Sequence, residues 1–148
     1  MSDGLKVVFG RRYRFAASHR LHSAELSDEE NCRVYGKCNN PYGHGHNYVV
    51  EVSVSGAVDP ATGMIVNLAD LDSFVNSEVI DAFDHKSLNE DVEAFRMTVP
   101  TTENLCKEIF LRLKRFSLAK LERVRIEETS KNAFEFAGEE SQDHAQIR

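Results

Sequence analysis

Gly36-Lys37-Cys38-Asn39-Asn40-Pro41-Tyr42-Gly43-His44-Gly45-His46-Asn47-Tyr48-Val49-Val50-Glu51-Val52-Ser53-Val54 decides how this chain folds. From Tyr48 onward it alternates. Tyr48, Val50, Val52 and Val54 share one parity, and Asn47, Glu51, Ser53 and Ser55 take the other, with Val49 the one exception. That alternation predicts a half-buried strand. His44 and His46 carry the apolar parity backwards, so both imidazoles continue the inward face, about 7 Å apart along an extended backbone. Two imidazoles on one face begin a transition-metal site, and zinc is the metal expected first. Gly43 and Gly45 keep the backbone bare for a close ligand, and Cys38 adds a thiol just upstream.

Working outward, the 148 residues predict one domain with a sizeable core. Hydrophobic residues make up 41% and charged residues 28%, which describes a soluble globular chain. A net charge of -6 argues against a nucleic-acid or membrane-surface binder. No basic, apolar leader opens the sequence, and no stretch approaches the roughly 20 apolar residues of a membrane span. Three cysteines, Cys32, Cys38 and Cys106, have no framework spacing and predict reduced thiols in a cytoplasmic protein.

Upstream, Leu5 to Phe15 reads as a first strand, interrupted near Gly10. Tyr13, Phe15 and Ala17 alternate with Arg12, Arg14 and Ala16, and the same parity lands on His19 while His22 falls out of register. His19 is therefore the expected third ligand, from a neighbouring strand. Alone it would read as a core histidine. Arg11, Arg12 and Arg14 read as a solvated strand face. Ser23 to Tyr35 is acidic and reads as a loop or short helix over the site, with Cys32 an ordinary thiol.

Downstream, Asp59-Pro60-Ala61-Thr62-Gly63 is a turn, and Met64 to Val66 can form only a short strand. Asn67 caps a helix whose stripe is Leu68, Leu71, Phe74, Val75, Val79 and Ala82, ending around Phe83. Asp84-His85 follows. An adjacent carboxylate can set an imidazole's tautomer, although such pairs are also ordinary in loops. Asn89 to Val99 is irregular. Pro100-Thr101-Thr102-Glu103 starts a second helix, with Leu105, Ile109 and Leu113 at i+4 and Cys106 in the core. Leu121 to Thr129 is a strand in which Val124 and Ile126 share a face with Glu128. Either that carboxylate is buried and needs partners, or the strand has ended and it is solvated. Phe134 and Phe136 mark a last short strand, and Gly138 to Arg148 reads as a disordered polar tail in which His144 plays no part. The order predicts an α+β fold, an antiparallel sheet with two helices on one face.

Phe15-Ala16-Ala17-Ser18-His19-Arg20-Leu21, the Gly36 to Tyr48 run, Asp59 to Met64, Asp84-His85 with Leu88, Thr101-Thr102-Glu103-Asn104 and Glu128-Thr129 resemble the 6-pyruvoyl-tetrahydropterin synthase family. The likeness spans about residues 5 to 136, and Cys-x5-His-Gly-His is its most specific part. It implies the tunnelling fold, in which sheets from several subunits join into a barrel, and a homohexamer of two trimers with sites between subunits. It implies conversion of 7,8-dihydroneopterin triphosphate to 6-pyruvoyl-tetrahydropterin and triphosphate, in tetrahydrobiopterin biosynthesis, with Zn2+ held by His19, His44 and His46. It gives Cys38 the role of base, Asp84 and His85 that of a proton relay reaching the thiol from another subunit, and Glu128 that of pterin anchor. It also places Thr101 and Thr102 where the family lines the pterin pocket. A thiol of ordinary pKa is only about 3% ionised at pH 7 and needs help. The related 6-carboxy-tetrahydropterin synthases usually have a shorter gap between the cysteine and His-x-His. A non-catalytic binder would have no need of Cys38, Asp84 and His85. The tail after Gly138 extends past the family's usual end, and Arg96-Met97-Thr98-Val99 lies in a variable segment, so the resemblance gives neither a role.

Overall fold

The computed structural model describes residues 4–138. Apart from Gly138, the expected tail and its His144 lie outside the described residues. A five-stranded sheet has the order β3-β1-β2-β4-β5. β1 (Val7–His19) and β2 (His44–Gly56) pair antiparallel along their whole length, from Val7 opposite Gly56 to His19 opposite His44. β4 (Lys120–Thr129) runs antiparallel on the other side of β2, and β5 (Asn132–Phe136) turns back against β4.

Three expectations about strands need correction. The sheet is mixed: β3 (Lys86–Ser87) adds a two-residue parallel strand beside Ala17 and Ser18 of β1. β1 is not interrupted at Gly10, which sits in register opposite Ser53. A Cβ there would meet Glu51 Oε1 at 2.6 Å, so the Glu51 side chain reaches across the space the glycine leaves. Met64 to Val66 forms no strand.

The alternation read from the sequence is the one the sheet uses. Phe15, Ala17, Tyr48, Val50, Val52 and Val54 are buried, as are Val124 and Ile126 opposite them. Two helical segments cover this face, and both contribute to one core. α5 (Thr102–Leu113) starts where Thr101 Oγ1 accepts the Asn104 N–H at 3.2 Å, and it buries Leu105, Cys106, Ile109 and Leu113. The other segment begins at Asn67, whose side chain accepts the Ala69 and Asp70 N–H groups. It runs through α2 (Leu68–Val75), a π turn (Asn76–Ile80) and α3 (Asp81–Phe83).

The π turn follows from the apolar spacing. Leu71, Val75, Val79 and Phe83 recur every fourth residue, and all are at most 1% exposed. In an α-helix each four-residue step overshoots a full turn by about 40°, so the stripe would wind off the sheet. The wider π turn takes back that rotation and returns Val79 and Phe83 to the core.

Two side-chain findings revise the sequence reading. Arg11 does not lie on a solvated face: it forks onto Asp72 of α2 at 2.6 and 2.9 Å, and Tyr13 donates to the same carboxylate at 2.8 Å. The irregular run after β3 contains α4 (Leu88–Asp91) and a 3-10 turn (Glu93–Phe95), pinned by buried Leu88, Val92 and Phe95. No helix among the described residues is long and apolar enough to cross a membrane.

Candidate metal centre and active site

His19 and His44 close the β1–β2 ladder as Cα partners, and His46 lies one pleat along the same face. The register therefore brings three imidazoles together. Their ring centroids are 4.6 to 4.9 Å apart and their planes cross at 81 to 85°. His19 Nε2 is 3.3 Å from His44 Nε2, which is 2.9 Å from His46 Nε2. Zinc bonded to imidazole nitrogen at about 2.05 Å in tetrahedral geometry spaces its ligands by about 3.3 Å, so the donor set fits such an ion. These three residues form the group able to hold a metal ion among the described residues.

The tripod is held in its ligating form. His19 Nδ1–H donates to the Pro100 carbonyl at 2.9 Å, which leaves the Nε2 lone pair free. Burial is the largest influence on His19 and lowers its pKa to about 4, and burial also lowers that of His46. Both are thus kept neutral, as a metal ligand must be. Gly43, before the first β2 ligand, has φ 73°, and a Cβ there would meet the His19 carbonyl oxygen at 3.0 Å.

Other expected residues gather around the tripod. Cys38 Sγ lies 3.5 Å from His44 Nε2. Burial, and then the charge of Glu128, push this thiol's pKa up. Glu128, near the end of β4, is not solvated: its side chain is 12% exposed, and Oε1 lies 3.1 Å from His46 Nε2 and 3.9 Å from His19 Nε2. The Tyr48 hydroxyl is 3.5 Å from His19 Nδ1. The hydroxyl of buried Thr102 has no hydrogen-bond partner among the described residues. The Thr101 hydroxyl is occupied in capping α5. A groove of about 570 Å³ lined by Lys37, Cys38, Asn40, His44 and His46 opens onto the tripod.

Asp84 and His85 stand elsewhere. Asp84 Oδ1 accepts the Ala16 N–H at 2.9 Å, and His85 N–H donates to the Ala16 carbonyl at 2.6 Å. This double clamp holds His85 at φ 59°, the one non-glycine positive φ among the described residues. Its imidazole projects outward, 84% exposed, with Nε2 3.6 Å from Asp84 Oδ2. It lines a second groove, which shares His46 with the first while Cys38 lines only the first.

The sequence reading missed how the stretch after His19 is held. Three asparagine side chains do this. Asn89 accepts the Arg20 N–H at 2.7 Å and donates to its carbonyl at 2.9 Å. Asn39 donates to the Leu21 carbonyl at 2.7 Å. Asn31 of α1 (Asp28–Tyr35) accepts the Ser23 N–H at 2.7 Å and donates to its carbonyl at 3.0 Å. Each replaces the strand partner that this stretch lacks. Burial of Asn31 and Asn39 is unusual enough to mark them, but only the folded chain shows why.

Three converging imidazoles at the end of a strand pair, with a thiol and a carboxylate beside them, make up the donor set of a metalloenzyme. The family model described as 6-pyruvoyl tetrahydropterin synthase matches residues 9–139, and the chain belongs to that enzyme family. It is 52% identical over 126 residues to the 6-pyruvoyl tetrahydrobiopterin synthase of Poecilia reticulata, covering 84% of this chain and 86% of that one. It is 48% identical to the Homo sapiens protein of the same name over 130 residues, 87% of this chain and 90% of that one. The solved 6-pyruvoyl tetrahydropterin synthase of Caenorhabditis elegans superposes with a TM-score of 0.86 at 47% identity, covering 91% of this chain and 97% of that one.

Proposed function

We propose that residues 5 to 136 form one catalytic domain that converts 7,8-dihydroneopterin triphosphate to 6-pyruvoyl-tetrahydropterin and inorganic triphosphate. The observation that carries this reading is the convergence of the His19, His44 and His46 Nε2 atoms, with Cys38 Sγ 3.5 Å from one of them. In the reaction triphosphate leaves the end of the pterin side chain. The two carbinol carbons become ketones; one oxidation is matched by the hydrogen pair the ring gains, the other by the terminal carbon, which becomes a methyl group as its C–O bond to triphosphate breaks, so no external oxidant is required.

His19, His44 and His46 would hold a zinc ion, which would supply positive charge and Lewis acidity toward hydroxyl oxygens of the substrate side chain. Cys38 takes the proton from the neighbouring C–H. Burial opposes its ionisation, so it acts beside a cationic centre and not alone. Glu128 receives two N–H donors of the aminopyrimidine on its two oxygens. Thr102 turns its hydroxyl to the pterin, and Thr101 holds the α5 terminus that shapes this wall. Asp84 and His85 relay protons to Cys38 of a neighbouring subunit. The separation of their groove from Cys38 within one chain supports that division. The open face of the sheet then lies inside a barrel of joined sheets, in a cytoplasmic homohexamer of two trimers.

The test is zinc-loaded protein incubated with 7,8-dihydroneopterin triphosphate, with the pterins separated and triphosphate measured. 6-Pyruvoyl-tetrahydropterin and one triphosphate per turnover are expected, and a 6-carboxy product overturns the reading. Cys38→Ala should keep its metal and lose roughly 10²–10⁴ in turnover, the range for a missing general base. His44→Ala should lose the metal, as elemental analysis will show.

A further inference from the structure

We propose that Asn39 is a positioning residue for the Cys38 thiol, an inference that rests on the reading of Cys38 as the reacting base. The two residues are adjacent at the end of a 3-10 turn (Gly36–Asn39), a segment with little regular structure to fix where Sγ points. What fixes it is a clamp on Leu21, two residues beyond His19. The Leu21 N–H donates to the Cys38 carbonyl at 2.7 Å, and Asn39 Nδ2 donates to the Leu21 carbonyl at 2.7 Å. Consecutive residues of the thiol loop therefore grip both backbone groups of one residue just past the end of the metal-ligand strand.

The Asn39 amide is fully used. Its Nδ2 also lies 3.1 Å from His22 Nδ1, and its Oδ1 accepts from Cys32 Sγ at 3.6 Å. Arg20 Nε donates to the Asn39 backbone carbonyl at 3.2 Å. Asn39 as a whole is 7% exposed. Only asparagine meets these demands at this length. Aspartate would face the Leu21 carbonyl with an oxygen instead of a donor, and glutamine would push the loop outward by one methylene. The clamp links the strand end that bears His19 to the turn that bears Cys38. It thereby sets the thiol at 3.5 Å from His44 Nε2. A displacement of about 1 Å there is enough to cost on the order of 10²-fold in rate.

The experiment uses full-length, zinc-loaded protein in a Cys32→Ser background, so that iodoacetamide reports on Cys38; Cys106 is buried. Asn39→Ala and Asn39→Asp are compared with Asn31→Ala, which loosens the same segment without touching the thiol loop. For the Asn39 variants the expected result is unchanged zinc stoichiometry, KM within about twofold, and kcat lower by at least tenfold. Cys38 alkylation at fixed pH should change at least threefold, whereas Asn31→Ala should melt earlier with wild-type alkylation. Should the Asn39 variants not fold, His22→Ala decides, since it removes one acceptor of the amide. A lower kcat with altered alkylation supports the clamp, and wild-type values overturn it. Unchanged kcat and alkylation in Asn39→Ala overturn it, as does loss of zinc in step with activity. If Cys38→Ala itself leaves turnover intact, the base assignment fails, while alkylation still reports whether Asn39 sets the thiol's position.

Discussion

His19 shows what one residue can encode. Its parity with Phe15 and Ala17 points it inward, its register sets it opposite His44, and the Pro100 carbonyl fixes its tautomer. Burial makes protonation costly, which has a consequence in acid. The folded chain holds His19 at about 4 against an ordinary 6.5. Between those values the unfolded chain takes up a proton that the folded chain refuses, so stability falls as pH drops through that window and levels off below it. The metal-free protein should lose on the order of 3 kcal/mol from this residue between pH 7 and pH 4. Urea midpoints of wild type and His19→Gln across that range will show it, and parallel profiles would refute it. At this scale the sequence was readable wherever a period carried the information: strand parity found His19, and for Glu128 it offered the inward face beside a solvated alternative that the fold removes. It was silent on Asn31, Asn39 and Asn89, because side-chain bonds to an irregular backbone follow no period.

The elements divide in the same way. Both long strands, both covering helices and their caps were legible, because apolar spacing and cap chemistry are local signals. The π turn was not anticipated, although its cause is in the four-residue spacing from Leu71 to Phe83. That cause makes deletion of exposed Ser77 informative. Without it the intervals become four, three and four, which a plain α-helix keeps on one side. The deletion should fold with a melting temperature within a few degrees of wild type, by circular dichroism, whereas deleting Asp72, which also leaves helical spacing, should melt clearly lower because it removes the carboxylate that Arg11 and Tyr13 hold. β3 was missed because two residues carry no pattern, and Met64 to Val66 was over-read because short apolar runs need a partner. In α5, Ile109 is fully buried against the sheet. Ile109→Ala should cost ~2–5 kcal/mol in urea unfolding with an unchanged m-value.

The whole molecule poses the question of where Asp84 and His85 do their work. If one chain supplies the thiol and another the imidazole, Cys38→Ala and His85→Ala should complement each other when co-expressed, each being inactive alone. Random mixing in a ring of sites recovers about a quarter of wild-type activity. No recovery in a mixed oligomer would place both groups on the same chain. This division could not be read from one sequence by spacing, since no period links residues that meet only across an interface.

The sheet's borders carry a last consequence. β3 covers β1 only at Ala17 and Ser18, so the outer border of β1 from Val7 to Ala16 has no strand beside it among the described residues. Leu5, Val7 and Val8 are exposed at its start. A naked border of that length invites any extended peptide to add on. A substitution that loosened the packing of neighbours along it would therefore show first as precipitate in the tube, before any slowing of the chemistry.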